Sequence, residues 1–241
     1  MRIPRIYTAQ TLDAEADFQL EAGPAAHVAR VLRMATGDAL LLFDGRGGEY
    51  PATITGLDRH AVSVRTQQRR QGLAESPLHI HLGIAVSRGE RMDWVVQKAT
   101  ELGVAAVSPL LSERTGVKLN APRAEKKRRH WQQVAISACE QCGRCDLPEI
   151  HPLAPLPAWL DSVDAPCRLL LQPGANAAAP GASPRRVALL IGPEGGFSQG
   201  EVELAQAAGF RGLQLGPRIL RTETAPLAAI AVLQARWGDL A

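Results

Sequence analysis

The sequence predicts an α/β protein: a small β-rich unit first, then a larger unit built on a mostly parallel sheet. Three observations carry this expectation. From Leu78 to the C-terminus, strand-like and helix-like stretches alternate, as crossover helices between parallel strands require. Before that point the chain holds short strands joined by a glycine-rich turn and little helix. Late in the chain, the apolar run Leu189–Ile191 enters a glycine-rich turn and then a helix-like stretch, the form of a loop that holds a ligand at a sheet edge.

Each element has its own signal. Pro24–Met34 reads as a helix with Val28, Val31 and Leu32 on one face. Ala39–Phe43, Glu49–Thr55 and Ala61–Thr66 read as strands, the first two joined by the Asp44–Gly48 turn. Polar Gln67–Pro77 reads as a linker. Leu78–Val86 is strand-like, and the helix Arg91–Leu102 after it is closed by Gly103. Ala105–Leu111 is a strand and Pro122–Gln141 a long helix. Cys167–Gln172, Val187–Ile191 and Gly212–Leu215 complete the strands, with helices at Gln199–Ala208 and Thr224–Trp237. Ligands of such sheets bind at the carboxyl ends of strands. The loops Gln172–Gly174, Gly192–Ser198 and Gly216–Glu223 are therefore candidates for one shared pocket.

Composition narrows the class. No apolar run approaches the roughly 18 residues of a membrane span. The N-terminal stretch lacks the apolar core of a signal peptide, so a soluble, cytoplasmic protein without a membrane partner is expected. With only 4% aromatic residues, a stacking platform for many single-stranded bases is not expected. The formal net charge is +3, but it is unevenly spread. Between Ser112 and His130, Arg114, Lys118, Arg123, Lys126, Lys127, Arg128 and Arg129 face only Glu113 and Glu125. That excess suits a phosphate backbone, and equally a solvated helix face.

The turn Gly192–Gly196 fits neither common phosphate loop. It lacks the Gly-x-Gly-x-x-Gly spacing and the Lys-Ser/Thr ending, and Pro193 interrupts it. Glu194 puts a negative charge where a phosphate would sit, so the loop itself suits a neutral or cationic ligand. A plain strand-to-helix turn remains the alternative. The cysteines Cys139, Cys142 and Cys145 in CEQCGRC imitate the start of an iron–sulfur ligand run, but position 149, where a fourth cysteine belongs, is Glu149. No metal site is expected. Cys139 and Cys142, three apart on a helix, are expected to pack as small apolar residues.

Three stretches, IGPEGGFS (Ile191–Ser198), LGPRILRTETAP (Leu215–Pro226) and KATELGV (Lys98–Val104), resemble the RsmE family of 16S rRNA methyltransferases. SERT (Ser112–Thr115) and EQCGR (Glu140–Arg144) occur between them in that family's order. The resemblance spans nearly the whole chain. It implies a PUA-like, RNA-binding β-barrel over 1–72 and a SPOUT methyltransferase domain over 73–241, with a C-terminal trefoil knot and a homodimer. It also implies transfer of a methyl group from S-adenosylmethionine (SAM) to N3 of the uridine at position 1498 of 16S rRNA, within the small ribosomal subunit. Another RNA or a ribose hydroxyl as acceptor, or a silent RNA-binding protein, are the competing readings.

The resemblance places the cofactor against Leu171, Gln172, Ile191, Gly192, Pro193, Glu194, Gly195 and Gly196, and against Leu215, Gly216, Ile219, Leu220 and Arg221. Leu215, Ile219 and Leu220 suit an adenine wall or, equally, ordinary core packing. Catalytic candidates are Arg221, Glu223 and Arg114. Arginine is no base at neutral pH, so Arg221 and Arg114 suit electrostatic or phosphate-binding roles. Glu223 suits either a general base or the N-terminus of the last helix, where Thr222 and Thr224 are cap candidates. Lys98 and Glu101 are spaced to pair along one helix. RNA contacts are expected from Arg2, Arg5, Arg30, Arg33, Lys126, Lys127, Arg128, Arg129 and Arg144. The apolar last helix, with Leu227, Ile230, Ala231, Val232 and Leu233, is the candidate dimer surface.

Overall fold

The computed structural model describes residues 3–58, 61–117, 120–174 and 183–240. Arg2, Lys118 and most of the connection 178–184 lie outside them. The chain forms two compact units, Met1–Glu75 with Ile136–Leu147, and Ser76–Ala135 with Pro148–Ala241. The excursion of Ile136–Leu147 into the first unit is not contained in a single boundary after residue 72.

The first unit holds β1 (Arg5–Tyr7), β2 (Asp17–Gln19), α1 (Ala22–Ala26), a π-helical turn (His27–Val31), β3 (Ala39–Phe43), β4 (Gly48–Leu57), β5 (Val62–Thr66) and β6 (Arg70–Gln71). The sheet runs β1-β3-β4-β5-β2, with β6 on β4. β6 lies inside the stretch that reads as a linker. The helix expected over Pro24–Met34 is thus a short α-helix continued by a π turn, in which the Leu32 amide donates to the His27 carbonyl. The wider π turn rotates residues off the face that α-helical spacing assigns. Val28 is fully buried, whereas Val31 is 67% exposed and Leu32 is exposed too. Cys139 and Cys145 are buried beside Phe43, with Tyr7 and Leu147 against them. Burial pushes the Cys139 thiol up to about 12. Cys142 is only half-buried.

The second unit holds β7 (His79–Ala85), α2 (Arg91–Glu101), β8 (Ala106–Leu111), α3 (Ala121–Cys142, whose last turns belong to the first unit), β9 (Glu149–Ile150) and β10 (Ala154–Pro155). α4 (Leu156–Ser162), β11 (Cys167–Leu171), β12 (Arg186–Ile191), α5 (Gln199–Ala207), β13 (Arg211–Leu213) and α6 (Thr224–Trp237) follow. The order is β10-β8-β7-β12-β11-β13, with β9 on β8, and every pairing is parallel. Successive residues of a strand point to opposite faces. In β12, Val187, Leu189 and Ile191 enter one core with Met92 and Val95 of α2, Trp131 of α3 and Ile230 of α6. Ala188 and Leu190 enter the other, with Trp159 of α4 and Ala205 of α5. Burial on both faces explains why β12 is a continuous apolar run.

The last helix corrects an expectation. Ile230 and Leu233 are fully buried and Leu227 packs on the same core; of the five apolar residues named for a dimer surface, Val232 is exposed. Ala231 is half-buried. Among the described residues, no helix is long and apolar enough to cross a membrane, and no group of His, Cys, Asp or Glu is arranged to hold a metal.

β7 carries a half-buried histidine. His81 Nε2 lies 2.8 Å from Ser108 Oγ and accepts from the Trp159 indole at 3.4 Å, and its ring stacks on His151. Burial, then the His151 charge, lowers His81 to about 4. The unfolded chain therefore takes up this proton below its ordinary value of about 6.5, while the folded protein does not. Stability contributed above pH 6.5 is lost as the pH falls towards 4. Thermal melts across that window should show the decline, and His81→Gln should flatten it.

Candidate active site

β12, β11 and β13 are adjacent and parallel, so their carboxyl ends share one edge. The loops leaving them close around a cavity of about 480 Å³. Leu171, Gln172, Ile191, Gly192, Pro193, Glu194, Gly196, Leu215, Gly216, Ile219, Leu220, Arg221 and Glu223 line it. Gly195 and Arg114 instead line a second cavity nearby. Leu171, Leu215 and Leu220 also pack on the core, whereas Ile219 is 83% exposed. Leu215 and Leu220 thus serve core and cavity together.

The glycine turn is braced from two sides. The Gly196 amide donates to the Pro193 carbonyl at 2.8 Å, and Gly196 has a φ of +67°, a conformation that disfavours any side chain. Ser198 caps α5: its hydroxyl accepts from the Glu201 amide, and its own amide donates to Glu201 Oε2 at 2.9 Å. Glu201 Oε1 accepts from the Glu113 amide at 2.8 Å. This one buried carboxylate ties the glycine turn to Ser112–Thr115. That loop is held by Thr115 Oγ1, 2.9 Å from the Ser112 amide and 2.8 Å from its hydroxyl. From it, Arg114 Nη1 donates to the carbonyls of Gly195 (2.8 Å) and Phe197 (3.4 Å). A capping box is visible in the sequence as Ser198 and Glu201; the contact to Glu113 is not.

The charge of Glu194 is not left alone. Arg91, at the start of α2, donates from Nη1 to Glu194 Oε1 at 2.7 Å and approaches Glu223 Oε2 at 3.9 Å. Arg218 and Arg221 also line the cavity. It therefore mixes three cations with two carboxylates, and the anion-averse reading of the glycine loop does not extend to the whole pocket. Arg91 is missing from the sequence-derived site because it lies 103 residues from Glu194 and in no shared motif. Glu223 occupies the N-cap of α6, but its side chain makes no capping bond. Thr222 is buried and Thr224 opens the helix.

The basic residues divide. Arg30, Arg33, Lys126 and Arg129 are exposed. Arg128 is engaged by Glu125 through two nitrogens, Arg129 approaches the same carboxylate at 3.7 Å, and Lys127 lies over the Trp131 ring. Arg5 and Arg144 depart from the expectation of phosphate contacts, because both are buried. Arg5 pairs with Glu49 and donates to the Arg144 carbonyl at 3.1 Å and the Cys145 thiol at 3.2 Å. Arg144 is 9% exposed. Glu140 accepts from the Tyr7 amide, and burial raises its carboxyl. Lys98 and Glu101 pair at 2.8 Å, as their spacing predicts.

The chain is similar to known proteins along most of its length. A family model described as an RNA methyltransferase domain matches residues 74–234, and one described as an RNA methyltransferase PUA domain matches residues 25–67. A curated ribosomal RNA small subunit methyltransferase E from Buchnera aphidicola subsp. Schizaphis graminum is 37% identical, over 99% of this chain and 98% of its own length. Its counterpart from Bacillus subtilis is 30% identical over 94% and 93%. A crystal structure of ribosomal RNA small subunit methyltransferase E from Neisseria gonorrhoeae bound to S-adenosyl methionine matches with a TM-score of 0.93 and 37% identity, covering 100% of both chains. A putative methyltransferase from Legionella pneumophila in complex with SAM matches with a TM-score of 0.95 and 42% identity, again covering 100% of both.

The brace can be tested without any ligand. Glu201→Ala leaves the Ser198 and Glu113 amides without their acceptor, and each of the two that water cannot reach costs about 1–3 kcal/mol. Denaturant melts should show a loss of that size, and both amides should exchange faster than in the parent protein.

Proposed function

The chain belongs to the ribosomal RNA small subunit methyltransferase E family, and from that premise we propose that it methylates N3 of the uridine at position 1498 of 16S rRNA. The methyl donor is SAM, and the acceptor is the small ribosomal subunit. The observation that carries the reading is the mixed-charge cavity at three neighbouring strand ends, in a chain that matches a SAM-bound methyltransferase over its full length. The reading includes the SPOUT fold with its C-terminal knot, a first domain over 1–72 that holds RNA, a homodimer, and the cytoplasm as the place of action. The dimer rests on family membership, since α6 is largely consumed by its own core.

The cavity fits the cofactor. Its volume lies within the usual range of ligand pockets, roughly 300–1,000 Å³. SAM carries a sulfonium, an ammonium and a carboxylate, and the cavity offers both signs of charge beside an apolar wall. Leu171, Leu215 and Leu220 suit the adenine, and the glycine turn lets backbone groups come close. Glu194 and Glu223 suit the cationic groups; Arg91 and Arg218 suit the carboxylate. When bound, SAM supplies a methyl group on a good leaving group.

The chain's own residues handle the acceptor. Uridine N3 bears a proton and pairs in helices, so the base must be presented unpaired. Glu223, which lines the cavity with a side chain only 22% exposed, takes that proton in this reading. Arg221 sits on the cavity wall and offsets the negative charge left on the uracil oxygens, and Arg114 holds the loop beside it. Exposed Arg30, Arg33, Lys126 and Arg129 supply phosphate contacts, which position RNA without reading its sequence.

Nucleoside mass spectrometry of 16S rRNA from a deletion strain tests the reading. N3-methyluridine should disappear at that position and return with the wild-type gene; retention in the deletion strain would refute it. Arg221→Ala should lower turnover at saturating subunit by about 10²-fold or more, the usual cost of removing one charge-stabilising donor. Gly196→Ala should weaken calorimetric SAM binding by up to about 5–30-fold, the cost of about 1–2 kcal/mol to return a turn that has relaxed out of the left-handed conformation.

A further inference from the structure

Beside the cofactor cavity lies a second one, of about 710 Å³, formed by the loop before α2, the loop after β8 and the glycine turn. Its charged lining is Arg88, Arg91 and Arg114 against Glu90 and Glu194. Arg91 and Glu194 line both cavities, and their 2.7 Å ion pair stands in the wall between them. That pair neutralises itself, which leaves Arg88 and Arg114 against Glu90, a net excess of one positive charge.

Both of these arginines are held by backbone. Arg88 Nε donates to the Gly116 carbonyl at 3.1 Å, and Arg114 Nη1 to the carbonyls of Gly195 and Phe197. Anchoring one nitrogen fixes the plane of a guanidinium and leaves its other donors for a ligand. Among the described residues, the two terminal nitrogens of Arg88 make no side-chain or backbone hydrogen bond of their own. The Arg88 contact needs a glycine at 116: a Cβ there would lie 2.5 Å from Arg88 Nε. Two fixed guanidinium groups around a recess suit an anionic oxygen.

We propose that the target nucleotide enters at the rim shared by the two cavities, that its phosphate lies in this second recess, where Arg88 and Arg114 bind an anionic oxygen, and that its base reaches past the Arg91–Glu194 pair to the methyl donor. The proposal rests on the methyltransferase reading and adds to it the place of the acceptor and a positioning role for Arg88. Adjacency favours a nucleotide, because a methyl acceptor must reach roughly 3–3.5 Å from the donor carbon, and this recess shares a wall with the donor's cavity. The anionic oxygen is that of a phosphate, because Arg221 and Glu223, which act on the uracil, line the cofactor cavity and not this recess; a uracil bound at Arg88 would overturn that placement.

The test uses the full-length protein and small subunits from the deletion strain. Arg88→Ala, Arg88→Lys and Gly116→Ala are compared with wild type in cofactor-free subunit binding, single-turnover rate at saturating subunit from about pH 6 to pH 9, and calorimetric SAM affinity. SAM affinity should stay unchanged in all three, which also shows that they fold. Arg88→Ala should weaken subunit binding or slow the single turnover by about ten- to a hundredfold, the effect of one charge-assisted hydrogen bond. Gly116→Ala, which displaces Arg88 without removing its charge, should shift the same quantity in the same direction. A loss in binding with a shallower salt dependence, largely rescued by Arg88→Lys, identifies a phosphate. A loss in rate that grows at low pH, with no rescue by lysine, identifies the uracil and overturns that placement. If Arg88→Ala leaves both subunit binding and rate unchanged while wild type methylates normally, the second cavity is not the acceptor site. If wild type itself does not methylate subunits, it is the underlying methyltransferase reading that fails.

Discussion

β12 lies between β7 and β11, and β13 lies on the far side of β11, all of them parallel. Parallel pairing sends every strand's carboxyl end to one edge, and burial on both faces holds the register, because a one-residue slip would exchange the two cores. The pocket follows from that constraint. Leu171, Ile191 and Leu213 end adjacent strands, so the chain that continues from each must turn in the same small space. A helix covers each side, and the open edge is left for loops. The glycine turn, the Gln172–Gly174 turn and the stretch from Gln214 to Glu223 are far apart in sequence and neighbours only through the sheet.

What the sheet leaves loose, polar contacts secure. Glu201 is buried at 5% exposure, and such a carboxylate is tolerable only when its oxygens are satisfied. Its two oxygens accept amides from two different loops, so the same bonds that satisfy it also fix the glycine turn against Ser112–Thr115. The exposed Arg91–Glu194 pair contributes little to stability by comparison. Its importance is local: it puts one charge of each sign in the wall of the cavity proposed for SAM, whose sulfonium is positive and whose carboxylate is negative.

Much of this was legible in the sequence, and the remainder has physical reasons. The long elements α2, α3, α5 and α6 announce themselves through periodicity and caps, and β12 through its apolar run. Gly192–Gly196 and Leu215–Arg221 are recognisable as loops at strand ends because motif and strand–turn–helix context agree, and both line the cavity. The two-residue strands β9 and β10 and the short α4 carry too few residues for any period to show. The π turn looks like an ordinary helix because its residues have ordinary helical spacing until a single wider hydrogen bond moves Val31 outward. Burial of Arg5 and Arg144 is invisible from charge alone, since a basic residue reads as surface until its partners Glu49 and Cys145 are seen in space. Arg91 and Arg88 escape for a related reason: they belong to no motif, and only the strand order brings them to the glycine turn.

Hydrogen exchange with and without SAM tests most directly that three strand ends form one cofactor pocket. Saturating SAM should protect the amides of Gln172–Gly174, Glu194–Ser198 and Gln214–Glu223 together, and leave the strands of the first unit unchanged. Protection confined to one of the three segments, or centred on the first unit, would contradict it.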